Sequence, residues 1–291
     1  MKKDKTPRTI KIIRWIYPKV EKIFPGLAHQ YFIKIFFTPF LYPTPPKEKR
    51  AMLFAKKFQV TASGKKIQCY AWGNSDKLVL LVHGWAGRST QFRRFIKPLL
   101  VAGYRVIGFD GPAHGKSEGK RTSINEFEET LRKLYEKVGE PEAIIAHSFG
   151  GGAVLFAAMN GLPVKKLIAI ASPSIGDEII NTYLRAINGS EATRDFFKAY
   201  VLKTFHKTFD EFTALHFVKN LPQKIDLQLI HDEDDKEVPM VHPLALAKAY
   251  PEANLYITHG LGHTRILKND DVITYCVTYI VGKSSVGMKT S

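Results

Sequence analysis

A chain of 291 residues, 45% of them hydrophobic, is long enough for one large α/β domain with an accessory piece and can bury a sizeable core. Its two cysteines, Cys69 and Cys276, lack C-x-x-C spacing, which argues against a disulfide scaffold or thiolate zinc site and for a reducing, cytoplasmic setting. The net charge is +16, but residues 1–50 hold 12 Lys/Arg against 3 Asp/Glu, so most of the excess sits in an N-terminal arm.

Within that arm Ile12, Ile13, Ile16, Val20, Ile23 and Phe24 recur at helical spacing, with Lys11, Arg14, Lys19 and Lys22 between them. Pro18 is expected to end or kink this helix. Residues 31–42 are rich in Phe and Ile but are broken by Lys34 and Pro39. Neither stretch reaches the roughly 20 apolar residues of a bilayer span, and no uninterrupted apolar run leads to a small-residue cleavage site. Two compatible readings follow for residues 1–50. They form helices packed on the body beside a cap, or a basic amphipathic arm lying on an anionic membrane surface, peripheral to its inner face. Pro43-Thr44-Pro45-Pro46, followed by Lys47-Glu48-Lys49-Arg50, reads as a linker.

Residues 58–61 and 66–72, separated by Ser63-Gly64, have the pattern of a hairpin. Apolar runs of buried-strand type follow at 78–82, 105–109, 143–146, 167–171, 227–230 and 255–258, with helical patterns between them, as at 91–102 and 124–138. This alternation predicts a doubly wound, mostly parallel sheet covered on both faces. Residues 174–222 interrupt it with helical patterning and the aromatics Tyr183, Phe196, Phe197, Tyr200, Phe205, Phe209, Phe212 and Phe217, as expected of a helical cap. The expected organisation is an arm (1–50), a core in two parts (51–173 and 223–291) and the cap inserted between them.

Reacting groups in open α/β sheets gather at the carboxyl ends of the strands. Those ends carry His83-Gly84-Trp85-Ala86-Gly87, then Asp110-Gly111-Pro112-Ala113-His114-Gly115-Lys116-Ser117, then Ala146-His147-Ser148-Phe149-Gly150. His231-Asp232-Glu233-Asp234-Asp235-Lys236-Glu237-Val238-Pro239 and Gly260-Leu261-Gly262-His263 follow. The Ser148 pentapeptide is close to the G-x-S-x-G turn that lifts a serine hydroxyl out of a sheet, with Ala146 in place of the first glycine. Gly115-Lys116-Ser117 resembles the end of a P-loop, but Asp110 stands where that motif needs glycine. The acidic run 232–235 lacks the spacing of a calcium-binding loop, so no metal is expected.

Over residues 55–282 these five motifs, in this order, resemble the α/β-hydrolase fold superfamily. The resemblance implies a Ser148 nucleophile, a His263 base and an Asp235 acid, with the N–H groups of Trp85 and Phe149 as an oxyanion hole. It departs from the usual His-Gly-x-x-Asp-x-x-Val-Pro pattern at Asp232, which replaces the glycine. Asp177 or Glu178 is the substitute acid, and His259 the rival histidine. His83, Arg88, Gln91 and His147 are candidates for the substrate pocket. For His83, ordering of its own loop is the simpler role, as surface helix positions are for Arg88 and Gln91.

The implied activity is serine hydrolysis of a small-molecule carboxylic ester with an apolar acyl group, through an acyl-enzyme and without a cofactor. Lipid-like esters and thioesters fall within it. Acyl transfer or carbon–carbon hydrolysis would use the same three residues, and a non-catalytic ligand-binding protein is the alternative from another class. Nucleic acid is not an expected partner, because the basic excess lies beside apolar residues in the arm and no recognition motif is present.

Overall fold

In a computed structural model, the description of which covers residues 8–282, eight strands form one sheet: β1 (Lys56–Ala62), β2 (Lys65–Trp72), β3 (Leu78–Val82), β4 (Arg105–Phe109), β5 (Ala143–His147), β6 (Lys166–Ile170), β7 (Asp226–Asp232) and β8 (Asn254–Thr258). Their order is β1-β2-β4-β3-β5-β6-β7-β8. β1 and β2 form the expected hairpin, β2 pairs antiparallel with β4, and every later pairing is parallel.

The pleat explains how short apolar runs feed two cores. Leu78, Leu80 and Val82 of β3 point to one face, with Ile144 and Ala146 of β5. The helices α5 (Ile124–Val138), α6 (Phe149–Met159), α9 (Ala214–Lys219) and α10 (Val241–Ala249) cover that face. Val79, Leu81, Ala143 and Ile145 point the other way, beneath α4 (Arg93–Val101) and the helix Asp270–Val281. A strand buried on both faces reads as a continuous hydrophobic run, which is why β3, β4 and β5 are so apparent in the sequence.

A third cluster joins the arm to the segment after β6. Tyr17 of α1 (Arg8–Ile23) and Phe32 of α2 (Pro25–Phe36) pack with Ile180 and Leu184 of α7 (Gly176–Ile187) and Phe197 of α8 (Glu191–Phe205). The Phe36 ring lies 4.3 Å from Phe197 and 4.6 Å from Tyr183 between centroids.

Two local expectations are corrected. α1 continues through Pro18, so the proline does not end it. Proline leaves the carbonyl four residues earlier without its helical donor, and here the Arg14 carbonyl accepts from Asn188 Nδ2 at 3.4 Å instead. The expected linker at 47–50 belongs to α3 (Pro46–Leu53), with Pro46 opening the first turn. Glu48 of that helix faces Arg88 and Arg93, at 3.8 Å from each.

Candidate active site

Ser148 stands at the junction of β5 and α6, with φ 51° and ψ −126°. A non-glycine residue in this region stores strain, held here by the sheet: Ser148 N donates to the Ile170 carbonyl at 2.8 Å. Crowding around the turn sets the residue types nearby. A Cβ on Gly84 would lie 2.8 Å from Ser148 Cβ and 3.0 Å from the His147 carbonyl oxygen.

His263 Nε2 lies 3.1 Å from Ser148 Oγ, and its Nδ1 lies 2.7 Å from Asp235 Oδ2. Asp235 is buried and also accepts from the N–H groups of Glu237 and Val238, each at 2.9 Å. Burial raises its carboxyl pKa, but the hydrogen bond and charge of His263 and these two N–H groups outweigh it and hold the acid below its ordinary value. The chain from hydroxyl through imidazole to ionised carboxylate can take the serine proton and stabilise the resulting imidazolium.

The loop carrying His263 is fastened by Asp232, the residue that departs from the expected pattern. Its carboxylate accepts from Gly262 N (2.7 Å), Thr258 Oγ1 (2.7 Å), Leu261 N (3.0 Å) and Asp234 N (3.1 Å). Burial raises the Asp232 pKa, yet these bonds hold it below the ordinary value. Gly262, at φ +64°, makes the left-handed turn that aims His263 back at the serine. The alternatives lie elsewhere: His259 is exposed and bonded to Glu233 at 2.6 Å, Asp177 pairs with Lys198, and Glu178 faces Arg185 at 3.8 Å.

The backbone N–H groups of Trp85 and Phe149 have no acceptor among the described residues. Their loop is braced from below. The His83 ring donates from Nδ1 to the Gly84 carbonyl at 2.7 Å and accepts at Nε2 from Gly111 N at 2.7 Å. His114 Nε2 accepts from Ala86 N at 3.1 Å. Burial keeps both rings neutral, with the His114 pKa lowered to about 4. Asp110 Oδ1 accepts from Ser89 N and its Oδ2 from Lys116 N, both at 2.9 Å, so the P-loop-like segment closes on this carboxylate.

Two of the four pocket candidates therefore need correction. His83 is fully buried and lines neither cavity at the site. Arg88 is also buried, bonded to Thr44 Oγ1 at 2.7 Å and the Tyr42 carbonyl at 2.6 Å, where it ties down the segment before α3. Gln91 and His147 do line the cavity containing Ser148 and His263. His147 Nε2 donates to the His263 carbonyl at 2.9 Å, Gln91 Nε2 approaches its Nδ1 at 3.3 Å, and burial lowers its pKa to about 3.

Two cavities meet at Trp85, Phe149, Pro173, Ile179 and Tyr183. One holds Ser148 and His263, with Glu237 and His242 on its wall. The other is an apolar slot lined by Phe205, Phe209, Phe212 and Phe217, with Tyr183 at the junction. The remaining expected cap aromatics, Phe196, Phe197 and Tyr200, pack toward the arm. The arm also forms part of the site, beyond what the sequence foretells: Ile10, Ile13, Ile35 and Phe40 line the serine cavity, and Phe36 and Phe37 line the slot. Their only signal in the sequence was apolar spacing, which does not say what a helix covers. Among the described residues no lysine or arginine lines either cavity, and no group of three His, Cys, Asp or Glu could hold a metal ion.

Comparison with known proteins gives the same architecture. The family model described as "alpha/beta hydrolase fold" matches residues 77–274. A 2-hydroxy-6-oxononadienedioate/2-hydroxy-6-oxononatrienedioate hydrolase of Cupriavidus pinatubonensis is 26% identical over 245 residues, covering 68% of this chain and 84% of that protein. Human monoglyceride lipase is 26% identical over 110 residues, 34% of this chain and 36% of the lipase. The Pyrococcus furiosus esterase Pf2001 superposes with a TM-score of 0.63 at 20% identity, over 83% of this chain and 98% of the esterase.

Proposed function

This chain belongs to the α/β-hydrolase fold family of enzymes, and from that membership we propose that it is a serine hydrolase cleaving a carboxylic ester with an apolar acyl group. The observation that carries the reading is the continuous contact from Ser148 Oγ through the His263 ring to Asp235, at 3.1 and 2.7 Å.

In the proposed reaction His263 Nε2 takes the Ser148 proton as Oγ attacks the ester carbonyl carbon. The developing oxyanion receives hydrogen bonds from the N–H groups of Trp85 and Phe149, each of the kind worth about 2.7–4 kcal/mol in a transition state. Collapse breaks the carbon–oxygen bond to the alcohol, which leaves with the proton from His263, and an acyl-Ser148 ester remains. Water, deprotonated by the same ring, then attacks the acyl carbon and returns the serine. Asp235 keeps the imidazole in the tautomer that accepts at Nε2 and offsets its positive charge.

The apolar slot beside Phe149 is the natural seat for the acyl chain, and the serine cavity for the alcohol. Carbon–carbon hydrolysis by the same three residues is the second reading, and hydrolysis of a dioate, as the name of the Cupriavidus relative has it, belongs with it because that similarity spans most of both chains. A dioate carries two carboxylates, and among the described residues both cavities are lined without lysine or arginine, which favours a neutral ester instead. The test is a p-nitrophenyl ester series, from acetyl to long acyl, on wild type and Ser148→Ala. The expected result is hydrolysis by wild type alone, best with medium or long chains. Equal rates for the two proteins would refute the proposal.

A further inference from the structure

We propose that the exposed face of α1 and the adjoining turns docks on an anionic lipid bilayer, so that the serine cavity opens toward the lipid and takes its ester substrate from it; this rests on the ester-hydrolase reading for the substrate, but not for the docking. α1 is apolar on two sides. Ile13, Tyr17 and Val20 belong to the inward cluster with α7 and α8. On the outward side Ile12 is 57% exposed, Trp15 66%, Ile16 41% and Ile23 67%. Trp15 and Ile16 lie three and four residues from Ile12, and Ile23 lies seven from Ile16, so the four form one stripe along the helix. Phe24, Leu27 and Tyr31 extend the exposed apolar surface onto α2. An isolated exposed leucine is ordinary, whereas a contiguous apolar surface of this kind marks an interaction site.

The charge around the stripe selects the partner. Between residues 10 and 36 the chain carries Lys11, Arg14, Lys19, Lys22 and Lys34 against one acid, Glu21, with the Arg14 guanidinium turned to the Arg185 and Ala186 carbonyls of α7. That acid is turned inward, where it accepts from Ser190 Oγ at 2.5 Å and from Thr193. The Lys19 ammonium sits 3.2 Å above the Trp15 ring, and Lys22 and Lys34 are exposed. Aromatic and aliphatic groups flanked by lysines suit the boundary between acyl chains and anionic headgroups. No described helix is long and apolar enough to cross a membrane, so the contact is with the surface.

The same elements form the rim of the site. On α1 the ridge Ile10, Ile13, Ile16 passes from cavity wall to exposed surface within two turns. Phe40 and Tyr42 line the serine cavity while 38% and 49% exposed, with Leu41 between them at 67%. An ester leaving the bilayer beside this rim would keep its acyl chain against apolar surface on the way to Ser148.

The test is vesicle co-sedimentation of the full chain, with phosphatidylcholine alone and with added phosphatidylglycerol, for wild type, Ser148→Ala, and an Ile12→Gln/Trp15→Gln/Ile23→Gln variant. None of the three α1 residues lines either cavity. Wild type and Ser148→Ala should bind the anionic vesicles alike. The triple variant should bind at least about tenfold more weakly, losing three apolar side chains from the interface. It should hydrolyse soluble p-nitrophenyl butyrate at the wild-type rate but a vesicle-embedded ester at least about tenfold more slowly. No wild-type binding to anionic vesicles, undiminished binding by the triple variant, or a stable dimer that shields Trp15 from a soluble quencher would each overturn the docking. Binding by an enzyme in which Ser148→Ala leaves ester hydrolysis unchanged would retain the docking and overturn the serine-hydrolase reading instead.

Discussion

Asp232→Gly restores the glycine that the family pattern carries at this position, and on pattern alone it should be harmless. The structure predicts otherwise. The substitution removes the acceptor for Gly262 N, Leu261 N, Thr258 Oγ1 and Asp234 N. A buried donor left unpaired costs about 1–3 kcal/mol, but Leu261 and Gly262 are only half-buried, so water can replace part of that. A loss of about 2–4 kcal/mol is therefore expected. The released loop carries His263, whose Nε2 lies 3.1 Å from Ser148 Oγ. A displacement of about 1 Å there would lower kcat by about 10²-fold. The stability gap also has a pH signature. The Asp232 carboxyl is held below its ordinary value. Its contribution is thus complete above an unfolded pKa of about 4 and fades as pH falls further through the folded value. Thermal melts from pH 7 to pH 3, with p-nitrophenyl ester kinetics at pH 7, measure both effects. An Asp232→Gly protein with wild-type Tm and kcat would refute the reasoning.

Other outcomes follow from the same geometry. Gly152 lines the apolar slot, and a Cβ there would meet nothing within 4 Å, so Gly152→Leu should fold normally while filling the space. It should cut hydrolysis of long-chain esters at least about tenfold and spare the acetyl ester, since each excluded methylene forfeits about 0.8 kcal/mol; an unchanged chain-length profile would remove the slot as acyl site. Gly84→Ala drives a Cβ toward Ser148 Cβ and the His147 carbonyl, so ester hydrolysis should fall by about 10²-fold or more, while unchanged kinetics would show that the crowding relaxes at no cost. Burial lowers the pKa of His114 to about 4, His147 to about 3 and His242 to about 4. The unfolded chain therefore binds more protons than the folded one below about pH 6.5, and stability should drop between pH 6.5 and 4. A Tm flat across that interval, followed by calorimetry, would contradict neutral burial of these rings.

Much of this site is legible in the sequence because its parts sit at strand ends, where short apolar runs give way to Gly, Ser, Asp and His. β3 and β4 lie where their runs predict, since burial on both faces leaves little ambiguity. What the sequence hides is long-range. Arg88 reads as a surface residue until Tyr42 and Thr44 meet it, and Asp232 reads as a departure from pattern until Leu261 and Gly262 bond to it. Likewise, spacing marks α1 as amphipathic, but only the packing of Tyr17 and Phe32 on α7 and α8 brings Ile10 and Ile13 to the cavity. Pro18 does not end α1 for the same reason, because the donor that meets the Arg14 carbonyl belongs to Asn188, far away in the chain.

The most direct test of the central claim is covalent capture of the nucleophile. Wild type, Ser148→Ala and His263→Ala would be treated with a fluorophosphonate and digested, and the labelled peptide located by mass spectrometry. The account predicts one adduct per wild-type chain on Ser148, none on Ser148→Ala, and labelling slowed by about 10³-fold or more in His263→Ala, where the serine lacks its base. A wild-type chain that stays unlabelled, or an adduct on another residue that persists in Ser148→Ala, would contradict it.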